Sequence, residues 1–185
     1  MLVSGGAKGA DTLFEELSEN LGHKITIYKS EDISNVEILD KWLVHVNQKY
    51  LGRMYPTSSV STNNLLRRNV KIALDADVMY AIGYISSDGI IEGGTAWACY
   101  IFIEKCMNIV GSKGLCDMWI QIPFHLFDQN KGVWYNSEIF QRKINFRLSV
   151  SIPKIKDISG CLKYGGIGSR NLMQNGIEAI RSLYV

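Results

Sequence analysis

The sequence predicts an α/β fold with a mostly parallel β-sheet. At its start, a short apolar strand over residues 2–4 leads into a glycine-rich loop, an amphipathic helix and a second strand. Two further glycine-bearing turns, over residues 93–95 and 165–170, each lie between a predicted strand and a predicted helix. Because alternating strands and helices build parallel sheets with helices on their faces, these three units predict a layered α/β domain.

The first half of the chain supplies most of the predicted elements. Apolar residues recur at helical spacing after the first glycine loop and stop at Gly22, and an alternating β-branched segment follows. A loop rich in Pro, Ser and Thr over residues 52–62 separates two later helices. The predicted elements are helix 13–21, strand 24–28, helix 34–50, helix 63–75 and strand 77–84.

The second half is less regular. A helix is predicted over 96–107, a strand over 119–127 that Pro123 breaks, and a final strand and helix over 162–167 and 172–184. Between them, residues 130–132 suggest a turn, with an extended segment over 133–135 beyond it. We therefore expect one domain, and we divide it into three parts: a main body, 1–127, a connecting segment, 128–160, and a last strand and helix, 161–185.

Length and composition limit the classes of protein. The 185 residues suit one domain, and the 46% hydrophobic and 21% charged fractions are typical of globular chains. The net charge of +2, without any long run of like charges, argues against nucleic acid as a partner. The sequence has neither a segment of about 20 apolar residues nor a signal-peptide pattern. We expect no membrane partner and a cytoplasmic location, which would be the host cytoplasm for a viral protein.

The cysteines and histidines do not predict a metal site. Cys99 and Cys106 lie seven residues apart on a predicted helix, and no CxxC pair occurs. The histidines are far apart in the sequence. The interpretation is four reduced thiols, at Cys99, Cys106, Cys116 and Cys161.

The three glycine turns predict a binding cleft. Turns that follow parallel strands meet at the carboxyl edge of the sheet, where ligands bind. Glycine lets the backbone approach a phosphate, and free N–H groups at a helix start attract anions. The prediction is a phosphate- or nucleotide-type site. Its predicted ligand-binding residues are Ser4, Gly5, Gly6, Ala7, Asp11, Arg68, Asn69, Gly93, Gly94, Thr95, Gly168, Ser169 and Arg170.

Other side chains allow two readings each. Arg68 could reach over the cleft as an exposed clamp for phosphate, in which case its loss would weaken binding and leave stability nearly unchanged, or it could lie on a solvated helix face. Asp128 could be a turn residue or a ribose ligand. Trp97 could stack on a base or pack in the core. If a phosphate binds after Gly94, that glycine could require a positive φ.

The loops resemble those of the SLOG superfamily. The resemblance rests on Ser-Gly-Gly-Ala-Lys-Gly-Ala-Asp at 4–11, then Arg68-Asn69, then Gly-Gly-Thr at 93–95. This Rossmann-like group contains the lonely-guy phosphoribohydrolases, the DNA-processing protein A family and molybdenum-cofactor carrier-like proteins. The resemblance implies a Rossmann-like three-layer sandwich with a nucleotide-derived ligand, and a homo-oligomer, a dimer or larger.

The end of the chain resembles the start of the same fold. Residues 164–170, Tyr-Gly-Gly-Ile-Gly-Ser-Arg, are similar to the strand and loop that usually precede the Ser-Gly-Gly-Ala strand. The resemblance therefore implies a circularly permuted member, of the kind seen in phages and large viruses. Such chains carry a stretch similar to Phe-Asp-Gln at 127–129 with Trp-Tyr at 134–135 between the halves.

One departure from the family bears on catalysis. In the phosphoribohydrolases a catalytic glutamate follows the glycine–threonine turn by three residues, and the matching residue here is Ala98. The first hypothesis is thus a binding protein, acting as sensor, carrier or sequestering protein. The second is a nucleoside 5′-monophosphate N-glycosidase that uses Arg68 with Glu92 or Asp11 as a substitute acid. The third is a single-stranded DNA-binding module.

Overall fold

A computed structural model shows a seven-stranded, mostly parallel sheet flanked by helices. It describes residues 1–115, 117–149, 151–152, 154–155, 158 and 162–185. The strands are β1 Leu2–Ser4, β2 Ile25–Ile27, β3 Val78–Gly83, β4 Ile120–Asp128, β5 Val133–Phe140, β6 Lys143–Leu148 and β7 Tyr164–Gly168. Their order is β2-β1-β7-β3-β4-β5-β6. The first five strands in this order are parallel to one another. β5 is antiparallel to β4, and β6 is antiparallel to β5.

Helices cover both faces of the sheet. They are α1 Ala10–Asn20, α2 Val36–Val46, α3 Val60–Asp75, α4 Thr95–Ser112 and α5 Gln174–Ser182. The central strand β3 sends Met79 and Ala81 into the core formed with α2, α3 and α4. Tyr80 and Ile82 of the same strand enter the core formed with α1 and α5. The predicted α/β class is therefore confirmed, and the domain is Rossmann-like in general form.

The helix boundaries differ from the predicted ones where capping or packing decides them. Helix α3 begins at Val60, three residues early, because the Ser59 hydroxyl accepts a hydrogen bond from the Thr62 N–H at 3.2 Å. Helix α4 extends to Ser112 rather than 107, since most of its residues are buried and stabilise it by packing. Helix α2 covers only Val36–Val46 of the predicted 34–50, and a π-helical turn, Asn47–Leu51, follows it.

The segment predicted to be a connection, 128–160, contains two strands. β5 and β6 form an antiparallel hairpin that extends the sheet beyond β4. The interruption predicted at Pro123 is a bulge rather than a break, because β4 is one strand whose pairing with β5 shifts register between Ile122 and His125. Such a bulge places the proline where no ladder N–H is needed.

The last strand of the chain lies in the middle of the sheet. β7 is parallel to both β1 and β3, with Tyr164 opposite Leu2 on one side and Val78 on the other. The Met1 ammonium donates to the Leu162 carbonyl at 3.1 Å. The last strand of the chain is therefore the neighbour of the first. It brings the β7–α5 turn next to the β1–α1 turn.

Candidate functional site

A cavity of about 480 Å³ opens at the carboxyl edge of the parallel strands. The loops after β1 and β7, the turn before α4, and one face of α3 surround it. Predicted site residues in its lining are Ala7, Asp11, Arg68, Asn69, Glu92, Gly93, Gly94, Thr95, Gly168, Ser169 and Arg170. The structure thus brings together three loops that are up to about 160 residues apart in the sequence. We refer to this cavity as the cleft.

Three predicted site residues lie outside the cleft lining. Gly5 and Gly6 line an adjoining groove. Ser4 is fully buried, and its hydroxyl donates to the Glu15 carboxylate at 2.5 Å. Ser4 therefore holds helix α1 against the glycine loop, and its side chain does not face the cleft.

Two of the glycine loops use backbone N–H groups to bind carboxylates of the protein itself. The Gly6 N–H donates to Glu15 at 3.1 Å, and the Ala7 N–H donates to Asp11 at 3.4 Å. The other oxygen of Asp11 accepts from the Gly168 N–H at 3.3 Å. Asp11 thus connects the β1–α1 loop to the end of β7. These three N–H groups are occupied, which the glycine pattern alone did not predict.

The N-terminus of α4 faces the cleft. Gly94 caps this 18-residue helix without a side-chain hydrogen bond to its first N–H groups. Such an end carries a partial positive charge and attracts anions. The positive φ belongs to Gly93, at 71°, whereas Gly94 has φ −69°. Gly94 therefore does not adopt the positive φ that a phosphate-binding glycine could require, and the left-handed residue is the one before it.

The turn before α4 is fixed by two side chains from elsewhere. Arg53 donates to the Gly93 carbonyl at 2.7 Å, and the Asn69 amide donates to the Gly94 carbonyl at 3.5 Å. Both bonds use carbonyl oxygens, so they leave the N–H groups of the turn for other partners. Arg53 was not predicted as part of the site, and it lies in the Pro/Ser/Thr-rich loop without any recognisable motif.

Arg68 is buried, so it is neither the exposed clamp nor the solvated helix residue that the sequence suggested. Its residue exposure is 9%. One guanidinium nitrogen donates to the Gly5 carbonyl at 2.9 Å and another to the Asn69 side chain at 3.2 Å. The guanidinium therefore supports the glycine loop through the Gly5 carbonyl. Its Nε–H is buried and is the donor without a hydrogen-bond partner among the described residues.

Asp11 is nearly fully buried, and burial raises the pKa of Asp11 to about 6. The Arg68 charge and the N–H groups of Ala7 and Gly168 oppose this rise, whereas the Glu15 charge adds to it. The buried carboxylate that joins two loops of the cleft therefore gains or loses its charge near neutral pH.

We expect the pH dependence of stability to report this carboxylate. The pKa of Asp11 is about 6 in the folded chain, above the ordinary 3.8, so its contribution to stability is present at low pH and decreases as the pH rises through 6. Between pH 4.5 and 7 the free energy of unfolding should fall by about 2 kcal/mol relative to an Asp11→Asn variant. Urea unfolding across this range measures the difference. A constant difference between the two proteins would contradict the raised pKa.

Several candidate residues have structural roles instead. Asp128 is fully buried, and its Oδ1 accepts a hydrogen bond from the Asn130 N–H at 3.1 Å. Of the two alternatives for Asp128, this bond favours the turn residue over the ribose ligand. Trp97 is 4% exposed and packs against Tyr55 in the core, so its ring is not available for a base. Arg67, next to Arg68, forms an ion pair with Asp40.

The lining of the cleft contains neither cysteine nor histidine among the described residues. Burial raises the pKa of the Cys99 and Cys106 thiols, both of which are free. Cys116 and Cys161 lie outside the described residues. Within the described ranges, no group of three or more His, Cys, Asp or Glu could hold a metal ion. None of the described helices has the length and apolar character to cross a membrane.

Comparisons of the chain with protein-family models, curated proteins and solved structures found no match.

Proposed function

We propose that the protein binds a nucleotide or nucleotide-derived small molecule in the cleft, as a sensor, carrier or sequestering protein. The observation that carries this proposal is the convergence of three glycine turns and the α4 N-terminus on one cavity, with the buried Arg68 at its wall. A volume of about 480 Å³ is within the usual range for small-molecule sites.

The arrangement favours one orientation of such a ligand. Three N–H groups of the other two loops, those of Gly6, Ala7 and Gly168, are bound to Glu15 and Asp11, so the start of α4 is where a phosphate gains most. The phosphate would lie at Gly94 and Thr95, and the nucleoside would extend toward the loops after β1 and β7. The Arg68 Nε–H is a donor in the intervening wall.

We also propose that the chain is a circularly permuted member of the SLOG superfamily. The insertion of β7 between β1 and β3 supports this proposal, because it places the last strand next to the first. The β1–α1 loop, α3 and the turn before α4 line one cleft, as the motif order of the resemblance implies.

A charge placed at Gly94 tests the binding site. A Cβ at Gly94 meets no described atom within 4 Å, and φ is −69°, so side chains fit there without strain. Gly94→Asp adds a carboxylate beside the proposed phosphate, whereas Gly94→Asn adds the same volume without charge. For the nucleoside 5′-monophosphate that binds wild type most tightly, we expect Gly94→Asp to weaken binding by about 10- to 50-fold relative to Gly94→Asn.

Isothermal titration with the four nucleoside 5′-monophosphates measures this difference. Mass spectrometry of small molecules released from the purified protein gives an independent identification of the ligand. Equal affinities for the aspartate and asparagine variants would remove the phosphate from the α4 N-terminus. If none of the four monophosphates binds and no nucleotide-derived molecule is released from the purified protein, the proposed function is wrong.

The position of Glu92 favours one alternative. Glu92 is exposed and lines the cleft, so a carboxylate is available near the proposed ligand. Ala98 occupies the position of the catalytic glutamate in the phosphoribohydrolases. A nucleoside 5′-monophosphate N-glycosidase needs such a group to stabilise positive charge that develops on the ribose. Incubation with the four monophosphates distinguishes the two functions: free base that disappears in Glu92→Gln would establish hydrolysis, and intact nucleotide would favour binding alone.

A further inference from the structure

A second cavity continues from the cleft on the far side of Arg68. This groove has a volume of about 630 Å³ and shares Ala7, Leu65, Arg68 and Arg170 with the cleft lining. Its remaining wall comes from the β1–α1 loop and from the segment after β2. The two cavities are therefore neighbours across one buried guanidinium.

The groove is rich in cations without partners. Lys8, Lys29 and Arg170 line it, and the described residues give their side chains no hydrogen bond or ion pair. Two carboxylates also line it, but Glu15 is bound to the Ser4 hydroxyl and the Gly6 N–H. Glu31 is the other, and with the buried Arg68 the groove has four cations against two anions. Such a surface attracts a second anionic group.

Arg68 lies at the junction of the two cavities and has the property expected of a ligand-binding residue. It is nine-tenths buried, and its Nε–H is buried without a described partner. An unsatisfied buried N–H costs about 1–3 kcal/mol, so an acceptor that reaches the Nε–H when the Gly5 loop next to it is displaced is stabilised.

We propose that the ligand is a nucleotide with two separated anionic groups, of the dinucleotide class. One phosphate would bind at the α4 N-terminus, and the second would bind in the groove beside Lys8 and Lys29. This inference rests on the proposed function, because it takes the first phosphate position from it. It adds a second subsite that the glycine motifs do not indicate.

Titration with three probes of one base tests the second subsite. They are the nucleoside 5′-monophosphate, the 5′-diphosphate, and the linear dinucleotide with a 5′-phosphate. The last two have similar charge, but only the dinucleotide separates its anionic groups by a nucleoside. We expect the dinucleotide to bind at least about tenfold more tightly than the monophosphate, and the diphosphate to gain clearly less.

Two lysine variants assign the gain to the groove. Lys8→Gln combined with Lys29→Gln should remove most of the dinucleotide's advantage and change the monophosphate affinity less than about twofold, since neither lysine lines the cleft. Lys143→Gln is the matched control, because it removes an exposed lysine from β6, the strand at the opposite edge of the sheet.

The outcomes separate this inference from the proposed function. A monophosphate that binds as tightly as its dinucleotide would overturn the second subsite and leave the proposed function standing. An equal gain for the diphosphate, or a dinucleotide advantage that survives the double lysine change, would also overturn it. If neither monophosphates nor dinucleotides bind, both proposals are wrong.

Discussion

Gly168→Ala is expected to lower the free energy of unfolding by about 3 kcal/mol, because the new methyl group has no space. A Cβ at Gly168 would lie 2.6 Å from the Ala10 Cβ, 2.7 Å from the Ile82 carbonyl oxygen and 2.9 Å from the Ile82 Cβ. None of these atoms is the end of a flexible side chain. Relief therefore requires α1 or β3 to move, and both elements are part of the cleft wall.

Gly83→Ala is the matched control for this substitution. Gly83 ends β3, next to Ile82, which is opposite Gly168 in the sheet, and its Cβ would meet only atoms 3.9 and 4.0 Å away. We expect its stability to stay within about 1 kcal/mol of wild type, since the contacts are ordinary and alanine restricts the unfolded chain. Urea unfolding of both variants measures the contrast. A loss at Gly168 no larger than that at Gly83 would show that α1 can move away from β7 at little cost.

Local pattern was sufficient to predict most of the sheet and its helices. The short apolar strands followed by glycine turns identified β1, β3 and β7, and helical spacing identified α1, α3 and α4. The β5–β6 hairpin was missed beyond residue 135 because its strands are less apolar. Asn136 and Glu138 interrupt the pattern in β5, and β6 has exposed residues at both ends. Pairing with β4 stabilises this hairpin, and such long-range pairing is not visible in a local window.

The position of the cleft could be predicted, whereas its internal bonds could not. The turns that follow parallel strands lie at the same edge of the sheet, so the prediction of a parallel sheet was enough to bring the glycine turns together. Glu15 appeared as a polar residue on an amphipathic helix, and only the folded chain shows it bound to the loop. The burial of Arg68 likewise depends on how closely α3 approaches Gly5. The residue type alone does not distinguish an arginine that binds a phosphate in the cleft from one that is buried and supports a loop.

Replacement of Arg68 by alanine is expected to destabilise the protein by about 3–5 kcal/mol. The change leaves the Gly5 carbonyl and the Asn69 side-chain oxygen without their guanidinium donor. It also removes the positive charge that opposes the rise in the pKa of Asp11, so the buried carboxylate loses its compensating partner. This result differs from the sequence-based expectation, in which an exposed Arg68 would affect only binding.

Two further variants show whether the guanidinium itself is responsible. Arg68→Lys should recover part of the loss, because an ammonium can donate to Gly5 or to Asn69 but lacks the planar fork that reaches both. Lys71→Ala, one turn further along α3, removes a side chain with a 3.5 Å hydrogen bond to the Asp32 carbonyl and a Tyr28 ring 5.9 Å away, and it should cost less than about 1 kcal/mol. Chemical unfolding of the three variants at pH 7 measures these differences. If Arg68→Ala lost less than about 1 kcal/mol, the guanidinium would not anchor the glycine loop, and its place in the cleft would be that of an exposed clamp.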